Sequence, residues 1–358
     1  MTRVLIIAGG TGGHVYPALA VARELRNRDV DVVWVGTRSG LEARVVPAAG
    51  FQMEWIRIRG LRRKGWVSWL LLPLRLAFAM FQSWRIMRRR RPDAVLAMGG
   101  FVAAPGAIVA RMLRRPLLIH EQNAVAGLTN RWLAYIADSV LCGFPEAFGT
   151  LPGARHVGNP VRGDILALPS PAERLAGRKG ALRLLVIGGS QGARVFNQVV
   201  PEAVGRVSMQ TSLEILHQTG RADRERTERA YRKVTEHAQV TAFIEDMAQA
   251  YAWADVLICR AGAMTISEIA AVGIAAILVP YPHAVDDHQT ANARFLSERD
   301  AAILVTQEEF SPVRIADLLF GFAENRELLL KMASNARACA VPDASDTVAT
   351  LCVEATYA

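Results

Sequence analysis

Two stretches constrain this chain more than any other feature: RVLIIAGGTGGH at residues 3–14 and LRLLVIGGSQGAR at residues 182–194. Each begins as an uninterrupted apolar run, the pattern of a strand buried on both faces, and runs directly into glycines. Glycine allows a sharp turn and a close backbone approach. The helix that follows such a turn offers unpaired N–H groups and a partial positive charge. The pattern predicts two strand–turn–helix units, one early in the chain and one at its middle.

Short apolar runs alternate with helical-period segments along the rest of the sequence. Strands are expected at residues 3–8, 31–36, 93–98, 116–120 and 139–142, and again at 182–187, 213–218, 240–243, 255–259 and 275–279. Such β–α alternation implies parallel sheets with right-handed crossovers, an α/β fold. With 358 residues the chain exceeds one ordinary core, so two domains are expected. The stretch GNPVRGDILALPSPAERLAGRKG at 158–180, rich in Gly, Pro and charge, is the expected join. In doubly wound sheets ligands bind outside the carboxyl ends of the strands, so two such domains facing each other would form a cleft.

The net charge of +9 is concentrated: residues 57–91 hold eleven Arg or Lys and no Asp or Glu, and the remainder is nearly neutral. Within that window LRRKGWVSWLLLPLRLAFAMFQSWRIMRRRRP mixes basic clusters with Trp66, Trp69, Phe78 and many leucines. Pro73 and Arg75 interrupt it, so it is too short to span a bilayer. Indole and guanidinium flanking a short apolar face suit a segment lying in a membrane interface. A core helix with a solvated basic end is the plainer alternative, and nucleic acid has only the Arg run in its favour. Cys142, Cys259, Cys339 and Cys352 form no C-x-x-C pair, which speaks against a disulfide framework or structural zinc and for a reducing compartment. The first residues read as a strand rather than a secretory leader.

The glycine turns do not fit the common cofactors. GGTGGH lacks the G-x-G-x-x-G spacing, the second strand exit (VVWVGTRSG) has no acid for a ribose diol, and neither turn has the Lys of a P-loop. Another phosphorylated ligand is favoured. A third exit, ADVLICRAGAMTISEIAAVG, passes from Cys259 through Arg260 and Gly262 into a helix. Arg260 can neutralise a phosphate there, and Glu268 can accept two hydrogen bonds from a ribose 2′,3′-diol; Glu268 also suits a plain helix-start acid. IHEQNAVAGLTN puts His120, Glu121, Gln122 and Asn123 at a strand end, as ligand groups or turn caps. YPHAVDDHQTANA offers Gln289 as an amide reader, again with capping as the alternative, and Asp286-Asp287 lacks the spacing of a metal-binding D-x-D. His217 and His237 read as structural.

These motifs occur together and in order: GGTGGHVYPALAVA (9–22), MGGFVAAPG (98–106), HEQNAVAGLTNRWLA (120–134), GNPVR (158–162), GGSQGA (188–193), FIEDM (243–247) and RAGAMTISE (260–268). Over essentially its whole length the chain resembles the MurG family of bacterial cell-wall glycosyltransferases, in glycosyltransferase family 28. The resemblance implies the GT-B fold, with two Rossmann-like domains around a cleft. These would be residues 1–160 with a returning C-terminal helix at 341–358, for the acceptor and the membrane, and residues 161–340 for the donor. It implies inverting transfer of N-acetylglucosamine from UDP-GlcNAc to the C4 hydroxyl of MurNAc in lipid I (undecaprenyl-pyrophosphoryl-MurNAc-pentapeptide), giving lipid II. PHAVDDHQTANA carries one residue more than the family's usual loop.

By the same resemblance the donor is contacted by Asn123, Arg162, Ser190, Ile244 through its main chain, Ala263, Met264, Thr265, Ile266, Ser267, Glu268 and Gln289. Thr11, Gly12 and Gly13 lie by the reacting sugar, or by the acceptor's pyrophosphate together with the loop at 98–106. No metal and no cofactor is implied. Direct displacement needs a base at the hydroxyl and cover for charge on the leaving diphosphate. Helix N-terminal amides with Arg260 or Arg162 suit the second task. His14 is the expected base, because imidazole titrates near neutral pH, with Glu121 as the other candidate. The family also implies a peripheral place on the cytoplasmic face of the inner membrane, docking through residues 57–91 on anionic lipid, no nucleic-acid partner, and membership of a cell-wall or division complex. Two rivals share parts of this pattern: a UDP-GlcNAc 2-epimerase, which needs no lipid, and a membrane-bound nucleotide-sensing scaffold, which has no use for His14.

Overall fold

The computed structural model describes residues 2–58, 72–145, 147–149, 153–189 and 192–357. The chain forms two compact units, Met1–Arg162 with Val341–Ala358, and Gly163–Ala340.

Unit 1 is built on seven strands: β1 Arg3–Ile7, β2 Asp31–Gly36, β3 Gln52–Trp55, β4 Ala94–Ala97, β5 Leu117–Glu121, β6 Ser139–Cys142 and β7 Ala154–His156. Their order in the sheet is β3-β2-β1-β4-β5-β6-β7, with every neighbour parallel. Unit 2 holds six: β8 Leu182–Ile187, β9 Leu213–Gln218, β10 Ala238–Thr241, β11 Val256–Cys259, β12 Ala275–Leu278 and β13 Ala302–Leu304, ordered β10-β9-β8-β11-β12-β13 and again parallel. The all-parallel, doubly wound architecture is the α/β class expected, and its two-unit Rossmann-like form is that of GT-B proteins.

Strand order reverses once in each sheet, between β1 and β4 and between β8 and β11. This reversal is where an open α/β sheet receives its ligand. Register sharpens the point. Ile7 pairs with Val35 on one side and Ala97 on the other, so three strands of unit 1 release their chains side by side. Ile187 pairs with Gln218 and Cys259 in the same way.

Both faces of the unit 1 sheet are packed. Val4, Ile6 and Leu96 face a core that includes Val15, Leu19 and Leu25 of the Gly12–Asn27 helix; Leu5, Ile7 and Val95 face the opposite one with Val102, Ala107 and Leu133. A fully buried Leu, Ile or Val contributes about 1.5–3 kcal/mol relative to exposure, which is why these runs carry no polar residue. The Ala344–Ala355 helix belongs to unit 1: Val348, Ala349 and Cys352 join the core beside Val15, and Arg28 donates to Thr350 Oγ1 at 2.8 Å.

Three edge strands, β3, β7 and β13, were not expected from the apolar pattern. The expected strand at 240–243 lies two residues earlier in the structure, as β10. Phe243 is half exposed, and Thr241 Oγ1 donates to the Phe243 carbonyl at 2.9 Å, so the chain turns after Thr241 instead of continuing. Trp66 and Trp69 lie outside the described residues. Beyond them, the Leu72–Arg90 helix buries Ala79, Ser83, Ile86 and Met87 and exposes Leu74, Phe78, Phe81 and Trp84. Among the described residues no helix is long and apolar enough to cross a membrane.

Candidate active site

In unit 1 the site grows from the exits of β1 and β4, on either side of the strand reversal. Gly10 takes φ +96°, which glycine alone adopts without strain. Thr11 then starts the Gly12–Asn27 helix, and no side chain caps its free amides. The β4 exit presses against this turn. A Cβ on Gly100 would lie 2.6 Å from the Gly9 carbonyl oxygen, and one on Gly99 would lie 3.0 Å from the His14 ring. The glycines of MGGF therefore create room for the first loop and for the imidazole.

Gln122 fixes that imidazole. It is buried past the end of β5, where its Nε2 donates to the Met98 carbonyl at 2.9 Å and its Oε1 lies 3.1 Å from His14 Nδ1. With the amide nitrogen turned to Met98, Oε1 can only accept, so Nδ1 carries the hydrogen. The lone pair of the neutral ring is then on Nε2, the tautomer a base needs. An imidazole held at Nδ1 by a second side chain is the arrangement by which enzymes orient a base toward a hydroxyl.

Glu121 is employed differently. Oε1 accepts from the Asn123 amide (2.9 Å) and Asn123 Nδ2 (3.0 Å), and Oε2 from the Gly127 amide (3.0 Å) and Asn130 Nδ2 (2.9 Å). Four donors on a buried carboxylate make it the clasp of the 121–130 turn. His120 is wholly buried with Nε2 at 2.9 Å from the Gly158 carbonyl, and burial pushes its pKa down to about 4, so it is neutral in the working range.

In unit 2 the corresponding exits are those of β8 and β11. Gly189 has φ +85°, and Gly192, at φ +75°, lies so close to the β9 exit that a Cβ would fall 1.9 Å from the Thr219 carbonyl oxygen. Ser190, between them, lies outside the described residues. After β11 the Ala263–Val272 helix starts at Gly262, again without a side-chain cap, so the amides of Ala263, Met264 and Thr265 head an open N-terminus. Ile266 is buried in the core; Ser267 Oγ donates back to the Ala263 carbonyl at 3.0 Å. Glu268 Oε2 accepts from Tyr251 Oη at 3.0 Å, which aims the carboxylate.

Arg260 is half-buried, with Nη1 on the Val279 and Pro280 carbonyls (3.1 and 2.9 Å) and Nη2 on Gln307 Oε1 (2.6 Å); burial lowers its pKa. It lies over the rings of Phe196 and Tyr281, so it braces the β12 exit. Gln289 Oε1 accepts from the Tyr281 amide at 2.9 Å, at the same exit. Asp286 and Asp287 both take left-handed φ, at +52° and +49°, where the loop turns into the His288–Ser297 helix. His217 is structural: Nδ1 lies 2.9 Å from Tyr231 Oη and burial lowers its pKa to about 3. His237 makes a local turn contact through its amide.

The expected residues thus fall into two groups. Thr11, Gly12, Gly13, His14, Asn123 and Arg162 are in unit 1, and Ile244, Ala263, Met264, Thr265, Ile266, Ser267, Glu268 and Gln289 are in unit 2. Two residues were missed. Glu42, fully buried, accepts from the Gly10 amide at 3.0 Å. Gln218 donates to the Gly189 carbonyl at 2.8 Å while accepting from the Ile244 amide at 3.0 Å, so that amide is engaged within unit 2.

Residues 4–142 match the model of the glycosyltransferase family 28 N-terminal domain and residues 183–348 that of its C-terminal domain. The chain is 52% identical to the UDP-N-acetylglucosamine--N-acetylmuramyl-(pentapeptide) pyrophosphoryl-undecaprenol N-acetylglucosamine transferase of Ralstonia nicotianae, over 99% of this chain and 97% of that protein. Its fold is similar to the crystal structure of Acinetobacter baumannii MurG, with a TM-score of 0.84 and 39% identity, covering 99% of this chain and 100% of that one. A kitacinnamycin glycotransferase, at 15% identity and a TM-score of 0.75 over 99% of each chain, shares the fold alone. With such identity along its whole length, the chain belongs to the family of UDP-N-acetylglucosamine–N-acetylmuramyl-(pentapeptide) pyrophosphoryl-undecaprenol N-acetylglucosamine transferases, within glycosyltransferase family 28.

Proposed function

We propose that this protein transfers N-acetylglucosamine from UDP-GlcNAc to the C4 hydroxyl of the MurNAc residue of lipid I, with inversion at the anomeric carbon. The observation that carries the mechanism is the His14–Gln122–Met98 chain, because it leaves His14 with its basic nitrogen at Nε2. His14 takes the proton as the acceptor oxygen attacks, and the sugar–phosphate bond breaks on the opposite face. Unit 2 holds the donor: the amides of Ala263, Met264 and Thr265 meet the diphosphate, Glu268 takes the ribose hydroxyls, and the Ile244 segment reads the uracil. The open helix terminus supplies positive potential where charge builds on the leaving UDP.

The Leu72–Arg90 helix supports docking on an anionic membrane, where a lipid-linked acceptor is found. Leu74, Phe78, Phe81 and Trp84 are exposed, Phe81 and Trp84 stack at 6.0 Å, and Arg88 lies 5.8 Å from the Trp84 ring. Apolar insertion flanked by guanidinium groups is how an interfacial helix holds a bilayer.

UDP release measured with and without a short-chain lipid I analogue tests the reading, with radiolabelled sugar followed into a butanol-extractable product. Acceptor-dependent release with label in the lipid phase is expected. Release without acceptor and no labelled lipid would point to an epimerase; binding with no turnover would point to a scaffold.

A further inference from the structure

The second strand of unit 1 returns an acid to the first glycine loop. Glu42 opens the Glu42–Ala48 helix just after β2 and is completely buried. Oε1 accepts from the Thr37 amide at 2.9 Å and Thr37 Oγ1 at 2.8 Å; Oε2 accepts from the Gly10 amide at 3.0 Å. No ion pair reaches it among the described residues. Three glycines make the space: a Cβ on Gly9, Gly36 or Gly40 would lie 2.6, 2.6 or 2.0 Å from Glu42 atoms. Glycines of two separate motifs are thus committed to housing one carboxylate.

Burying an ionised carboxylate without a cation is costly unless its oxygens are satisfied. Here both oxygens face donors only, which a carboxylate can satisfy and a carboxamide cannot, since one end of an amide must donate. The equivalent glycine of unit 2 is held the opposite way: Gln218 grips the Gly189 carbonyl, whereas Glu42 grips the Gly10 N–H.

We propose that Glu42 is a positioning residue for the transfer reaction. By holding the Gly10 amide it fixes the turn that leads into His14, and it withdraws that amide from the groups a bound acceptor can use. The proposal rests on the reading of this loop as the one that carries the base, and its test is built to separate the two.

Glu42→Gln preserves size but sets an NH₂ against at least one N–H donor. It is expected to lower kcat with the lipid I analogue by about 10- to 100-fold, the cost of a misplaced catalytic group, while UDP affinity stays within about twofold and the protein still melts cooperatively. Thr37→Val removes one bond to the same carboxylate and leaves the Gly10 tether, so it controls for lost stability and should keep its kcat. Parental turnover in Glu42→Gln, or equal kcat losses in both variants, would overturn the proposal. His14→Ala reports on the reading beneath it: full turnover there removes the base assignment, whereas loss there with Glu42→Gln unaffected removes Glu42 alone.

Discussion

The two glycine-loaded strand exits differ in what holds them. Both carry a glycine at positive φ, Gly10 at +96° and Gly189 at +85°, and both are followed by a helix with no side-chain cap. In unit 1 the brace is a buried carboxylate that takes an N–H, and the helix begins with an imidazole held by Gln122. In unit 2 the brace is a carboxamide that takes a carbonyl, and no imidazole follows. The same turn therefore shows opposite electrostatics. A loop that loses a donor and sits above a negative charge suits an uncharged hydroxyl beside a base; a loop that loses an acceptor suits an anion. On the proposed reading, in which His14 is the base, the difference accounts for one chain building this turn twice and ending only one of them in histidine.

The largest effect should fall on the first loop. His14→Ala is expected to lower kcat by about 10²–10⁴ with the donor KM within about twofold; steady-state kinetics in both substrates check this, and equal losses in kcat and donor affinity would erase the distinction between the units. Acid should weaken both units through buried imidazoles. His120 in unit 1 and His217 in unit 2 sit at about 4 and about 3 against an ordinary 6.5. As pH falls below 6.5 the unfolded chain takes up protons that the folded chain refuses, so each residue costs about 1.4 kcal/mol per pH unit until its folded value is reached. Denaturant melts from pH 8 to 5 should show stability falling only below about 6.5; a rise on acidification would contradict this.

Glu268→Ala is expected to raise the donor KM by about tenfold or more, since hydrogen bonds to a charged acceptor contribute about 1.5–3 kcal/mol each. Tyr251→Phe, which removes the hydroxyl aiming that carboxylate, should have a smaller effect in the same direction. Unchanged UDP binding in Glu268→Ala would place the ribose elsewhere. The smallest effect concerns the membrane. Replacing Phe78, Phe81 and Trp84 by Ser should release the protein from anionic vesicles in a flotation assay while sparing turnover of a water-soluble acceptor. Salt should release the parent only in part, because apolar insertion is not screened. Complete release by salt would make the contact purely electrostatic.

What could be read from the sequence follows from what a residue's neighbours in the chain determine. Continuous apolar runs such as VLII and LLVI fixed the inner strands, because burial on both faces leaves no room for polar alternation. The edge strands QMEW and ARH are short and partly polar, with half their surface outside the core, so the apolar signal is weak there. Phe243 looked like strand because it is apolar, but its backbone is taken by a local turn. At the site, His14 and Glu268 stood out because each follows a strand exit directly. Glu42 and Gln218 did not. Their roles depend on bonds to residues 32 and 29 positions away, which only the parallel register brings together. The same holds for Gln122, which reads as a turn cap until its two partners, from separate strand exits, are seen.

Of the two loops, only the first is proposed to carry a base. The pH dependence of single-turnover rates at saturating UDP-GlcNAc, parent against His14→Ala, tests it most directly. The parental rate is expected to fall on the acid side, and the variant to show a slow, flat profile. An acidic limb that survives unchanged in His14→Ala would contradict the claim and assign the proton to another group.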